Sequence, residues 1–326
     1  MKRLKWGRVT ILCAIILGIC WFFFYGGLEK EDTNVVKAKE KMIIDGSSLQ
    51  VAELPKTGLS EKVIPQKYVP VVEAKAAMII DASDGEVIYK NNETETFAPA
   101  SMSKMMTAYL LLENIHTGKV HWEDPVKISA KSAQTEGARI PVQMNDTLTV
   151  KDLFHALMIE SANNSAVALA EHVAKTEQNF VQLMNQKAKE LELSDNTKFA
   201  NASGLQEPDG SETKMPAADV AKLAYRLIKD YPEILEVTHL PQSQLAFKNT
   251  VVTSTNEMLN AANKDLYIEG MDGLKTGFTD SAGYCFTGTA KQGDKRLITV
   301  VMGTKSQTKR FTETSKLMSY GFQIVK

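Results

Sequence analysis

The chain has 326 residues, 38 basic against 39 acidic side chains, 44% hydrophobic residues and three cysteines. That length buries one large core or two ordinary ones without staples, and the apolar fraction excludes a disordered chain. A formal charge of −1 argues against a nucleic-acid protein, which needs a basic face to neutralise phosphates.

Four basic residues, Lys2, Arg3, Lys5 and Arg8, precede an uncharged run at 9–25, VTILCAIILGICWFFFY. As a helix such a run spans about 25 Å, enough for a tilted segment in a slightly thinned bilayer. The basic cluster should stay cytoplasmic. The expected layout is a cytoplasmic tail at 1–8, a membrane anchor at 9–26 and an extracytoplasmic stalk at 27–70 broken by Pro55, Pro65 and Pro70. A cleaved signal peptide is the alternative, but the run ends in Trp21, Phe22, Phe23, Phe24 and Tyr25 rather than in small residues. Leu17-Gly18-Ile19-Cys20 makes a poor lipoprotein box, since Ile19 is large. Cys13 and Cys20 share this run and leave Cys285 alone, so no disulfide framework or Cys-rich zinc site is available.

Residues 71–326 form the working domain. Strands are predicted at 76–81 and 86–90 around Asp84-Gly85. Helical patterns follow from 102 to about 115, stopped by Gly118, then at 150–159, 164–175, 178–191 and 217–229. Strands return at 284–290 and 296–302, split by Gly293-Asp294, and a helix at 312–324 closes the chain. Strands at both ends with helices between predict an α/β (α+β) fold. One antiparallel sheet is built from both ends, flanked by helices, with an inserted, mostly helical subdomain.

A serine nucleophile needs a base within reach, and Ser-x-x-Lys on a helix supplies one on the same face. The pattern is cheap: it occurs at Ser101/Lys104, Ser211/Lys214 and Ser306/Lys309. Surroundings separate them. Ser101 opens a stretch apolar almost all round, and Lys104 is the only charged side chain between Glu95 and Glu113. A lone buried lysine loses much of its preference for the charged form, and a helix start offers N–H groups to an oxyanion. Ser211 and Ser306 lie in polar segments and read as surface. Ser-x-Asn likewise recurs at Ser161/Asn163, Ser194/Asn196 and Ser254/Asn256, and Lys-Thr-Gly at Lys56 and Lys275. Ser161 and Asn163 fall at the break between two helical patterns, where side chains converge on a cleft. Ser194 reads as a turn. Lys56 lies in the stalk. Lys275-Thr276-Gly277 opens the last strand block, where Gly277 lets a ligand approach the backbone.

One ordered set therefore has all three members in credible settings: Ser101/Lys104, Ser161/Asn163 and Lys275-Thr276-Gly277. It resembles the signature of the penicillin-recognising serine enzymes. PASMSKMMT, IESANNSAVALAE, NASGL and GLKTGFTDSAGYCFTGTA are similar to the D-alanyl-D-alanine carboxypeptidases over about 72–326. The resemblance implies that Ser101 attacks the penultimate D-Ala carbonyl of a peptidoglycan stem peptide while Lys104 takes its proton. Ser161 would pass a proton to the leaving amine, and Asn163 would hold Lys104 and the substrate amide. Lys275 and Thr276 would bind the terminal carboxylate, with Arg310 a weaker candidate for that role. The N–H groups of Ser101 and Phe278 would form the oxyanion hole. The resemblance implies no metal or other cofactor, β-lactam antibiotics as inhibitors, and an extracytoplasmic enzyme tethered through the N-terminal segment. Many carboxypeptidases carry a further C-terminal β domain; here the chain stops at Lys326, soon after the catalytic fold, which makes the N-terminal anchor the expected attachment. The rivals are a D,D-endopeptidase or transpeptidase using the same residues, a non-catalytic wall-binding protein, and a β-lactamase. For the last, Glu257-Met258-Leu259-Asn260 is one residue short of the deacylating Glu-x-x-Leu-Asn.

Overall fold

The structure, a computed structural model, describes residues 69–260 and 262–325. The expected tail at 1–8, the anchor at 9–26, nearly all of the stalk and Lys56-Thr57-Gly58 lie outside the described residues. Among those described, no helix is long and apolar enough to cross a membrane.

The sequence AAMIID of β1 (Ala76–Asp81) is apolar on both faces, and all six residues are buried. Because strand side chains alternate, Ala76, Met78 and Ile80 enter one core and Ala77 and Ile79 another. After a tight turn in which Gly85 takes φ +80°, β2 (Val87–Asn91) pairs back on β1. The rest of this sheet comes from the far end of the chain as a meander of β3 (Met271–Thr279), β4 (Gly283–Gln292) and β5 (Lys295–Thr304). The order is β2-β1-β5-β4-β3 with every neighbouring pair antiparallel. Ala76 stands opposite Met302 and Asp81 opposite Leu297. The expected sheet, assembled from both ends of the domain, is present.

Between β2 and β3 lie α1 (Lys104–His116), α2 (Val150–Ile159), α3 (Asn163–Ala174), α4 (Glu177–Glu190) and α5 (Ala217–Asp230). They bury the larger core against one sheet face. α6 (Gln307–Ile324) covers the other, packing Phe311, Leu317 and Met318 with Ile79, Phe286 and Val301. Side-chain caps fix several helix starts: Thr149 accepts from Asp152 N before α2 and Thr176 from Asn179 N before α4. α1 is buried from Lys104 through Leu112, as its all-round apolar surface requires.

Two expectations shift. The closing helix begins at Gln307 rather than 312, because Ser306 is its N-cap and the polar stretch after it is the first turn. Ser101 precedes α1 in a 3₁₀ turn, Ala100–Ser103, instead of opening the α-helix itself. The single turns Ala130–Gln134 and Ile234–Thr238 are too short to show a period in sequence.

Candidate active site

The 3₁₀ turn brings the Ser101 hydroxyl over the first residue of α1. Lys104 is fully buried; its Nζ donates to Ser101 Oγ at 2.8 Å, Asn163 Oδ1 at 2.6 Å and Ser203 O at 2.8 Å. Burial, and then the charge of Lys275, lowers its pKa well below the ordinary 10.5.

A second wall forms where α2 ends and α3 begins. Ser161 bridges them with φ +66°, a conformation unusual for a residue with a side chain. Asn163, the first residue of α3, donates from Nδ2 to Glu136 O at 2.8 Å. That contact orients the amide so that its oxygen faces Lys104. The loop carrying Glu136 needs Gly137: its φ is +77°, and a Cβ there would stand 2.7 Å from Asn163 Nδ2.

The third wall is β3, an edge strand. Lys275 is buried, its Nζ donates to Thr276 O at 3.2 Å, and burial followed by the charge of Arg310 lowers its pKa to about 7. The Thr276 hydroxyl lies 2.6 Å from that of Thr255. At Gly277 the strand crosses the Ser101 turn so closely that a Cβ would meet Pro99 O at 2.6 Å and Ser101 N at 3.2 Å, the close approach expected of this glycine. Arg310, in the first turn of α6, is 6% exposed and donates from Nη1 to Gly277 O at 3.4 Å. Its guanidinium sits 5.7 Å and 4.7 Å from the ring centres of Tyr284 and Phe311. Its Nε is buried without a hydrogen-bond partner. Phe278 is exposed and stacks on Tyr284 at 4.3 Å.

These walls enclose a cleft of about 490 Å³ lined by Ser101, Ser161, Asn163, Thr276, Gly277, Phe278 and Arg310. Lys104 and Lys275 stand behind its surface, buried. All nine residues singled out from sequence thus converge, Arg310 included. Three duplicate motifs among the described residues do not. Ser211 donates to Asp209 in a turn, Ser194 donates to Asp219, and Ser306 caps α6. Glu257 accepts from Gln307. Sequence reasoning missed Glu160, Thr255 and Ser203. Glu160 had a signal, a charge at the break between two helical patterns; Ser203 lies within NASGL, but its carbonyl contact to Lys104, like the contact of Thr255 with Thr276, is tertiary and leaves no local signal.

The family model of the D-alanyl-D-alanine carboxypeptidases matches residues 63–306. The chain is 36% identical to the D-alanyl-D-alanine carboxypeptidase DacF of Bacillus subtilis over 253 residues, 77% of this chain and 62% of that protein. Among solved structures it is similar to penicillin-binding protein D2 of Listeria monocytogenes in an ampicillin-bound form, at 35% identity and TM-score 0.68, covering 78% of this chain and 100% of that one. It is also similar to a peptidoglycan synthesis regulatory factor (PBP3) of Streptococcus pneumoniae, at 36% identity and TM-score 0.72, covering 77% and 74%. The chain spans about three fifths of the length of the curated relatives it matches. With matching sequence, fold and motif order, the chain belongs to the D-alanyl-D-alanine carboxypeptidase family.

Proposed function

We propose that the protein is a serine-type D-Ala-D-Ala carboxypeptidase that trims peptidoglycan stem peptides and is acylated by β-lactam antibiotics. One observation carries the reading: a fully buried lysine whose Nζ touches Ser101 Oγ and two carbonyl oxygens. A neutral amine has two hydrogens and one lone pair. In that form Asn163 Oδ1 and Ser203 O accept the two hydrogens, the contact with Ser101 reverses, and the lone pair accepts from the Ser101 hydroxyl. Lys104 is thereby a general base for a serine nucleophile.

In the proposed cycle Ser101 attacks the penultimate D-Ala carbonyl and its proton passes to Lys104. The oxyanion meets the N–H groups of Ser101 and Phe278. Ser161 hands a proton to the departing nitrogen, D-Ala leaves, and water hydrolyses the ester. The terminal carboxylate binds Thr276, Lys275 and Arg310, whose unpartnered Nε suits an anion. The edge position of β3 favours an extended peptide added as a further strand. The lactam carbonyl of a penicillin acylates Ser101 by the same route as its ring C–N bond opens, consistent with the ampicillin complex of the Listeria relative. Attachment to the membrane through 9–26, with the working domain extracytoplasmic, rests on the charge pattern of that segment.

The test is release of free D-Ala from diacyl-Lys-D-Ala-D-Ala by the full chain in detergent, beside the Ser101→Ala variant. Release by the wild type alone supports the reading. No release with penicillin still bound points to an endopeptidase or a wall-binding protein, and destruction of penicillin to a β-lactamase.

A further inference from the structure

Among the described residues lining the cleft, Glu160 is the only acid and Arg310 the only base. Glu160 directly precedes Ser161, and among the described residues its carboxylate has no hydrogen-bond or ion-pair partner. Burial alone raises its pKa. Its place in the cleft is set by the preceding residue: Ile159 O accepts from Thr255 N, and the Thr255 hydroxyl contacts that of Thr276. Glu160 thus lines the same cleft as Thr276 and Arg310, one residue along the chain from the backbone that meets Thr255. Thr276 and Arg310 are the groups proposed above to hold the terminal carboxylate of the leaving D-Ala. An unpaired carboxylate there would repel the substrate's carboxylate unless a positive charge came with it.

The product supplies that charge. As the C–N bond breaks, the nitrogen takes one proton from Ser161, which is reprotonated through Lys104 with the proton that left Ser101. The free amine then binds a second proton from water, because the α-amino group of a free amino acid, next to a carboxylate and not an amide, is more basic than a peptide terminus and is protonated at neutral pH. D-Ala thus departs as a zwitterion. We propose that Glu160 sets the leaving-group preference of the cleft, its carboxylate accepting hydrogen bonds from the ammonium that develops on the departing D-amino acid while Arg310 and Thr276 hold the carboxylate. The inference rests on the carboxypeptidase reading above. An ester substrate ending in a D-hydroxy acid breaks a C–O bond instead, and its oxygen leaves as a neutral hydroxyl that has no charge for Glu160 to meet.

The experiment pairs diacyl-Lys-D-Ala-D-Ala with diacyl-Lys-D-Ala-D-lactate on the full chain and on Glu160→Gln, which keeps size and removes charge. The variant should lose about tenfold in kcat/KM on the amide and less than threefold on the ester. Free D-Ala should inhibit the wild type more strongly than D-lactate does, a measurement that needs no variant. An unchanged amide-to-ester ratio in Glu160→Gln, or equal inhibition by the two products, overturns the role of Glu160 alone. A wild type that cleaves neither substrate overturns the carboxypeptidase reading and this inference with it.

Discussion

Ser101-x-x-Lys104 and Ser306-x-x-Lys309 share a motif and a setting at the start of a helix, yet their chemistry diverges. Ser306 Oγ accepts from Lys309 N as an N-cap, while the lysine side chain turns outward to Glu73 at 2.8 Å. That hydrogen bond raises the Lys309 pKa. At Ser101 no side-chain cap forms, and the hydroxyl points to a lysine that is fully buried and whose pKa is lowered. Identical spacing yields shifts of opposite sign. Reactivity comes from removing water and counter-charge around the pair, and the tetrad itself contributes only proximity.

Breaking the buried pair should have the largest effect. Ser101→Ala should remove D-Ala release and covalent penicillin labelling, a loss of about a thousandfold or more. Lys104→Arg should do the same although charge is kept, because arginine does not give up its proton; labelling by the variant at a normal rate would remove Lys104 from the base role. Neither Ser306→Ala nor Lys309→Arg should change labelling.

Next in size is the pH response. On the proposed mechanism the acid limb of kcat/KM should report protonation of Lys104. The alkaline limb should report loss of charge on Lys275, whose pKa is about 7, with kcat/KM falling about tenfold for each unit above that value. Lys275→Arg, which stays charged, should move that limb upward, and an unmoved limb would assign it to another group.

Smaller still are the stability effects. Unfolded Lys275 binds a proton up to about pH 10.4 and the folded form releases it near 7. The unfolded chain therefore holds more protons across that window, and this residue makes stability rise with pH through it. Lys275→Met should raise Tm at pH 7 by several degrees and flatten that rise, while weakening carboxylate binding. Lys104→Met should gain less, since it strands Asn163 Oδ1 and Ser203 O without their donor. Ser306→Ala should cost about 1 kcal/mol of capping, or about 3 °C in Tm.

Much of this was legible in sequence where a period or a motif order was long enough to be read. The strand at Ala76–Asp81 and the helix at Val150–Ile159 fall where the apolar run and the helical repeat end. The candidate residues that converge on the cleft were legible because three weak motifs occur in a fixed order with suitable surroundings. What escaped is tertiary. Nothing local announces that Glu136 O orients Asn163, that Thr255 meets Thr276, or that Ser306 caps a helix. A serine in a polar stretch looks the same whether it starts a helix or sits in a turn.

The pairing of β1 with β5, Ala76 opposite Met302, has a consequence for how the molecule is made. The first strand synthesised acquires its central neighbour only after nearly the whole domain exists, so the sheet cannot close on a growing chain. Contacts this distant in sequence make for slow folding. They also leave the other edge of AAMIID, six residues with no charge before the last, waiting unpaired and prone to wrong partners. A chain truncated before Lys295 should therefore be recovered as aggregate rather than as a smaller working enzyme.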